Sequence, residues 1–96
     1  MTQEPSVGRI VHYVLSEEDA TEINRRRSDG ATHGHVGNPA VAGAIYPLII
    51  TRVWGSNPTS AVNGQVLLDG NDAYWATSRS PGPGEAPGTW HWPERA

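Results

Sequence analysis

AIYPLIITRVW, residues Ala44 to Trp54, is the strongest strand pattern in the chain. β-branched and aromatic side chains dominate this stretch, and such side chains pack well on the pleated surface of a sheet. Pro47 has no backbone N–H to donate to a neighbouring strand, so it predicts an edge, a bulge or a bend at that point. We expect residues 48–54 to be the most deeply buried part of this strand.

Two shorter elements precede this strand. Gly8 to Leu15 reads GRIVHYVL and alternates between two faces, which favours a strand with one partly polar face. From Ser16 the chain reads SEEDATEINRRR, with acidic residues in the first turn and arginines in the last, as suits a helix dipole. Ser16 is placed to cap this helix, and Asp19 stands near the reciprocal capping position. The pattern predicts a short helix lying over a sheet or a barrel end.

Three more strands are predicted after Trp54. NGQVLLDG and NDAYWATS read as a pair joined by Asp69-Gly70-Asn71-Asp72, because DG and GN tolerate the positive φ of a hairpin turn. Ser80 to Gly88, SPGPGEAPG, is a linker rich in Pro and Gly. A short final strand follows at Thr89 to Trp92 and ends at Pro93.

Together these elements predict a mainly β fold with one short helix, namely a small five-stranded SH3-like or OB-like antiparallel barrel. An open sheet with the helix on one face is the alternative. In either fold the last strand should pair with an early one, because an unpaired edge carrying two tryptophans invites aggregation. We expect residues 1–96 to form a single domain. Within it, 1–6 form a flexible N-terminus, 28–43 a long functional or mobile loop, and 80–88 the linker before the last strand.

The composition argues against several classes of function. Seven arginines, no lysine and ten carboxylates leave a net charge of −3, without the basic surface that duplex nucleic acid binding requires. The absence of cysteine removes disulfides, thiolate catalysis and Cys-based zinc sites. No apolar run approaches the roughly 20 residues that cross a bilayer, which predicts a soluble intracellular protein without a membrane partner. The small core of so short a chain also predicts a homo-oligomer.

No catalytic pattern is present in the sequence. Ser and Thr lie in no nucleophile elbow, and the carboxylate clusters at 17–19 and 69–72 fit helix capping and a hairpin turn. His33 and His35 share one side of an extended segment, and His12 or His91 can complete a metal set with them. No carboxylate is placed beside this pair, so solvated loop histidines are the favoured interpretation. We therefore predict no enzyme, no metal site and no cofactor; a metal-dependent hydrolase using His33 and His35 is the third hypothesis.

The tryptophans carry a stronger signal. Trp90 and Trp92 should lie on one face of the last strand and His91 on the other. An aromatic cluster results if Trp75 shares their face. In a chain without Phe, we expect Trp75 and one of the two C-terminal tryptophans to pack in the core. The alternative is a platform on which a base, a sugar or a partner side chain stacks.

A candidate ligand site combines these tryptophans with the loop. The glycines at 34 and 37 can form a shallow anion nest, with the arginine run near its start, although a simple surface loop is the favoured interpretation of the glycines alone. In this hypothesis the arginines pair with phosphate, loop N–H groups fix orientation, and a C-terminal tryptophan stacks on a base. The predicted ligand-binding residues are Arg25, Arg26, Arg27, His33, His35, Asn38, Trp75, Trp90 and Trp92.

The chain resembles a group of small proteins encoded by phages and prophages of actinobacteria. The resemblance spans nearly the whole length and rests above all on the ending PGTWHWPE, residues Pro87 to Glu94. Supporting segments are VGRIVHYVL, SEEDATEINRRR, GNPAVAG, PLIITRVW and VNGQVLLDGND. The absence of lysine fits such GC-rich genomes. No site residue is carried over from the group.

The resemblance implies a phage-encoded protein of the host bacterial cytoplasm. By analogy with other phage domains of this size, we expect a non-enzymatic binding module, namely an anti-defence protein that sequesters a small anionic, nucleotide-like immune signal. The alternative is a protein-interaction or minor virion protein that docks through its Trp and Pro face.

Overall fold

The computed structural model describes residues 3–28 and 36–93, which form five strands and one helix. The elements are β1 (Ile10–Val14), α1 (Glu17–Ser28), β2 (Ile45–Trp54), β3 (Ala61–Leu67), β4 (Ala73–Arg79) and β5 (Trp90–His91). All neighbouring strands run antiparallel in one sheet of order β4-β3-β2-β1-β5. The predicted mainly β fold with one short helix is confirmed, as is the pairing of the last strand with an early one.

The sheet is open between β4 and β5. In the part of the chain that the structure describes, the two edges approach each other through one parallel bridge, between Pro81 and Trp90. Trp90 donates its N–H to the Ser80 carbonyl at 3.3 Å and accepts from the Gly82 N–H at 3.1 Å. This contact brings the segment after β4 beside β5 without a ladder, so barrel closure stays a prediction.

Pro47 lies on β2, the central strand of the sheet. It is opposite His12 of β1, but the ladder between β2 and β3 begins only at Leu48. Pro47, which has no backbone N–H, therefore lies just beyond the end of the β2–β3 ladder, where no ladder hydrogen bond is lost. The bulge in β2 lies elsewhere, between Ile50 and Arg52.

The fully buried residues of β2 lie within 48–54, as expected, but deep burial is limited to two of these positions. Leu48 and Ile50 are buried, whereas Thr51, Arg52 and Trp54 are exposed. Side chains of a strand alternate between two faces, and the helix covers only one face of this sheet. Burial along β2 therefore follows alternation, and the bulge changes its phase.

The core lies on the covered face, which we call the inner face. Val11 and Tyr13 of β1 lie there and are buried. Ala20 and Ile23 of α1 pack against the same cluster, so the helix covers this side of the sheet. The short apolar stripe of the helix thus supplies the second layer that a sheet needs.

The loop between β3 and β4 is stabilised by a contact that the sequence did not indicate. Gly70 forms an isolated bridge with Gly37, and a Cβ on Gly70 would lie 2.7 Å from the Gly37 Cα. The backbone of Gly70 does not have positive φ, contrary to the expectation for this turn. Glycine is required here because two backbone segments approach closely.

We predict that Gly64→Ala destabilises the fold. A Cβ at this inner-face position would lie 2.6 Å from the Ile49 carbonyl oxygen and would also overlap the Leu48 side chain. Backbone atoms in the middle of a sheet cannot move away cheaply, so we expect a loss of about 1–3 kcal/mol in urea unfolding. The neighbouring exposed residue provides the control: Gln65→Ala should change stability by less than about 0.5 kcal/mol. Equal effects of the two substitutions would contradict the packing argument.

Candidate functional site

The face of the sheet opposite the helix, which we call the outer face, carries a row of large side chains. Ile10, Ile49, Gln65 and Trp75 are consecutive partners across β1, β2, β3 and β4, so all four point to the same side. Ile10 is 52% exposed and Trp75 is 61% exposed. This row crosses four of the five strands.

A second set of outer-face side chains lies next to this row. Leu67, two residues after Gln65 on β3, is 43% exposed. Pro47, His12 and His91 are paired across β2, β1 and β5 and continue the face toward the other edge. The outer face is therefore a broad, largely apolar surface.

Trp54 is held rigidly at the end of β2. Its indole N–H donates to the Asn63 Oδ1 atom at 3.0 Å, and the Arg52 guanidinium lies 3.9 Å from its ring centroid. The same Asn63 oxygen accepts the Ser78 N–H at 2.7 Å, where Ser78 has a φ of 53°. These contacts link β2, β3 and β4 and leave Trp54 48% exposed.

The formally charged side chains on the strands are all positive. The five described strands contain no Asp or Glu, and their two arginines are Arg52 and Arg79. Arg79 forms an ion pair with Asp19 of α1 at 3.1 Å. Of the two strand arginines, Arg52 is therefore the one whose positive charge is not neutralised by a carboxylate of the helix. The carboxylates within residues 3–28 and 36–93 lie instead on the helix and in the loops.

Trp75 does not pack in the core, contrary to expectation. Trp90 does pack there, as expected for one of the two C-terminal tryptophans. Trp90 is fully buried opposite Tyr13, on the inner face. Trp92 is partly buried, makes an edge-to-face contact with Trp90 at 5.6 Å, and carries Arg9 over its ring at 4.6 Å. Trp75 lies on the outer face, so the three tryptophans do not form one cluster.

The arginine run is occupied by carboxylates of the same chain. Arg27 donates to both oxygens of Asp72 at 2.8 and 3.1 Å and also to the Asn38 carbonyl. Arg26 donates to the same carboxylate at 3.1 Å, and Arg25 pairs with Glu22 on the helix. The Asp72 side chain is only 2% exposed. Hydrogen bonds from Arg27 lower the pKa of Asp72 despite the opposing effect of burial, and Arg26 adds to this lowering.

Asn38 also makes an internal contact. Its amide N–H₂ donates to Asp69 at 2.7 Å, and its backbone N–H donates to the Asp69 carbonyl at 2.8 Å. A surface recess of about 370 Å³ lies beside this region, lined by Asn24, Arg27, Ser28, Gly37 and Pro39. His33 and His35 lie outside the described residues, so their place in the site stays a prediction.

A buried polar cluster joins α1 to the sheet around Asp19. Its carboxylate accepts the Tyr13 O–H, the Tyr74 O–H at 2.9 Å and an Arg79 N–H at 3.1 Å. Ser16 and Asp19 exchange two hydrogen bonds of 3.0 Å at the helix start, which confirms the predicted capping pair. An open cavity of about 560 Å³ lies beside the cluster.

The protonation states of this cluster are well defined. Burial opposes ionisation of Asp19, but the hydrogen bonds from Tyr13, Ser16 and Tyr74 and the Arg79 charge lower its pKa below the usual range. Burial and the adjacent carboxylate raise the pKa of Tyr13 and of Tyr74. The cluster is thus an ionised carboxylate saturated by neutral phenols and one guanidinium, an arrangement suited to holding a helix in place.

Two further features constrain the chemistry of the described residues. Within 3–28 and 36–93, no three His, Cys, Asp or Glu side chains are grouped as a ready metal site. In the same two ranges, no helix is both long and apolar enough to span a membrane.

The chain matches no family model, no curated protein and no solved structure. The resemblance to actinobacterial phage proteins and the location in a host cytoplasm therefore stay predictions.

The sequence did not predict the outer-face row, because no local pattern shows which face of a strand stays exposed to solvent. One signal was available: Ile10, His12 and Val14 alternate with Val11, Tyr13 and Leu15, so both faces of β1 are largely apolar. A strand that is apolar on both sides in a chain with one short helix leaves one side without a cover.

We predict that Asp19→Asn destabilises the protein and reduces its sensitivity to acid. The folded-state pKa of Asp19 is lowered, so its contribution is present above the unfolded pKa of about 3.9 and is lost as pH falls through the folded pKa. Breaking a buried ion pair costs about 3 kcal/mol at neutral pH. Urea unfolding at a series of pH values should show this loss and a shallower decline in acid, while the exposed neighbour control Glu18→Gln should follow the wild type. A decline as steep as that of the wild type would contradict the assignment.

Proposed function

We propose that the protein is a non-enzymatic binding module that docks a partner protein on the outer face of its sheet. The observation that carries this proposal is the row Ile10, Ile49, Gln65 and Trp75, which crosses four strands with its two end residues more than half exposed. Large apolar patches on small proteins mark interaction sites more often than accidental exposure. Aromatic anchors such as Trp75 and Trp54 are the residue type that dominates binding energy at interfaces.

Rigidity of the outer face supports the same proposal. Trp75 and Leu67 project from paired strands, and Trp54 is held by its hydrogen bond to Asn63. Side chains held in their binding conformation lose little conformational entropy on association. A surface of this kind suits a preformed docking face.

The charge pattern indicates the chemistry of the partner. The strands have no carboxylate, and Arg52 stands over Trp54 at one end of the face. A complementary partner therefore presents an apolar surface with an acidic group opposite Arg52. Nucleic acid is a poorer occupant, because phosphate binding needs several clustered cations.

We predict that Leu67→Ser/Trp75→Ser weakens partner binding without unfolding the protein. Both side chains are exposed in the free chain, so their loss should cost binding energy and little stability. The tagged wild type should recover a stoichiometric partner from an actinobacterial lysate. In calorimetry with that purified partner, the double variant should bind at least about tenfold more weakly.

The matched control is Val36→Ser/Val41→Ser, which removes two exposed apolar side chains outside the strands. This control should bind the partner as the wild type does. Native mass spectrometry of all three proteins checks for self-association, since the predicted homo-oligomer could occupy the same face. Docking of a different protein on this face is overturned if the double variant retains full affinity for the partner. It is also overturned if the wild type recovers no other protein and forms a homodimer that the double variant does not form.

Capture of a small nucleotide-like anion remains the second candidate. The recess beside Arg27 and Gly37 favours it, but Asp72 already accepts two hydrogen bonds from Arg27. A phosphate would have to compete with a carboxylate that is in place at no cost in association entropy. We therefore rank ligand capture below protein docking.

Calorimetry against cyclic di- and trinucleotides and cyclic ADP-ribose isomers tests the second candidate. Ligand capture predicts measurable heat with the wild type and a loss of at least about tenfold in affinity for Arg27→Gln. Arg52→Gln, on the outer face, should bind as the wild type does. Absence of heat with every nucleotide removes this candidate and leaves protein docking unaffected.

A further inference from the structure

His12 and His91 are direct partners on β1 and β5, and their side chains meet on the outer face. The ring centroids are 5.6 Å apart with the planes nearly perpendicular. Both residues are partly buried and line a cavity of about 360 Å³ together with Ile45, Gly84 and Glu85. The sequence pattern indicated these two histidines only as candidate additions to a metal site at His33 and His35.

One atom of this pair lacks a hydrogen-bond partner. The Nδ1 atom of His91 is buried, and no residue in the described ranges bonds to it. Burying a polar atom without a partner is unfavourable, so such atoms are normally satisfied by water, an ion or a ligand. The contact between the two rings does not satisfy this nitrogen, because an edge-to-face approach is no hydrogen bond.

The distance between the rings fits shared coordination of one cation. A metal about 2.1 Å from a ring nitrogen lies about 3.2 Å from the centre of that ring, so tetrahedral coordination by two imidazoles separates the ring centres by about 5.2 Å. The observed 5.6 Å is close to this value. In the edge-to-face pair only one ring directs its edge at the other, so cation binding requires the second imidazole to rotate about its side-chain torsions until one of its nitrogens points to the same cation.

We propose that His12 and His91 bind a divalent transition-metal cation of the Zn²⁺, Ni²⁺ or Cu²⁺ class, with Glu85 as the third protein ligand. Imidazole suits these metals, and a carboxylate oxygen completes the kind of donor set found around zinc. Glu85 is exposed, lines the same cavity and follows Gly84, whose φ of 57° marks a turn. The three ligands are not grouped in the free chain, so binding draws the carboxylate in and leaves remaining positions to water.

The position of the site gives the cation a structural effect. β5 consists of two residues and pairs with β1 at two positions only. A cation held by His12 and His91 cross-links these strands at one of those positions. Binding to the folded state alone stabilises it, so the melting temperature should rise with cation concentration.

The test is calorimetry and thermal unfolding of untagged protein with ZnCl₂ and NiCl₂. We expect one cation per chain and a Tm that rises with cation concentration. His12→Gln and His91→Gln should each weaken binding by at least about tenfold, and Glu85→Gln by a smaller factor. The double variant His33→Gln/His35→Gln should bind as the wild type does, and all variants should unfold cooperatively without metal.

A measurement on the wild type avoids reliance on the variants. Titration with Zn²⁺, followed by two-dimensional NMR, should shift the imidazole resonances of His12 and His91 before those of the other two histidines. The proposal is overturned if the wild type binds neither cation at millimolar concentration, if the earliest shifts belong to His33 and His35, or if their double substitution abolishes binding.

Discussion

The carboxylate of Asp19 is the contact on which the arrangement of helix and sheet depends. It accepts hydrogen bonds from Tyr13 on β1 and from Tyr74 and Arg79 on β4, while the Asp19 backbone N–H donates to the Ser16 hydroxyl at the start of α1. A buried charge is stable only when its partners are all in place, so the cluster favours one docking position of the helix over others. The apolar contacts of Ile23 add burial but are not directional.

Because the helix is fixed on the inner face, it does not cover the outer face. A single helix of 12 residues cannot cover both sides of a five-stranded sheet. The row from Ile10 to Trp75 follows from this geometry, and so does the lateral position of the histidine pair. The two proposed sites therefore occupy neighbouring regions of one surface: the docking row runs from β1 to β4, and the histidine pair joins β1 and β5.

The predicted site residues show why a local sequence pattern overestimates how many side chains are available to bind a ligand. The arginine run is visible in the sequence, but Asp72, the partner of Arg27, lies 45 residues away and becomes its neighbour only in the fold. The same argument applies to the tryptophans. Composition alone favours burial of both Trp75 and Trp90, yet their strand positions place them on opposite faces. Helix capping by Ser16 was predictable because both partners lie within one turn.

The sequence by itself determined the elements: the strand at Ala44 to Trp54, the capped helix, the final strand and the mainly β class all follow from short-range alternation, charge and turn residues. Only the tertiary structure decided which face of each strand is buried, which carboxylate pairs with which arginine, and that His12 meets His91. The physical reason is that alternation specifies two faces but not which one is covered. That choice depends on where α1 docks, and the docking is directed by contacts of Asp19 with residues up to 60 positions away.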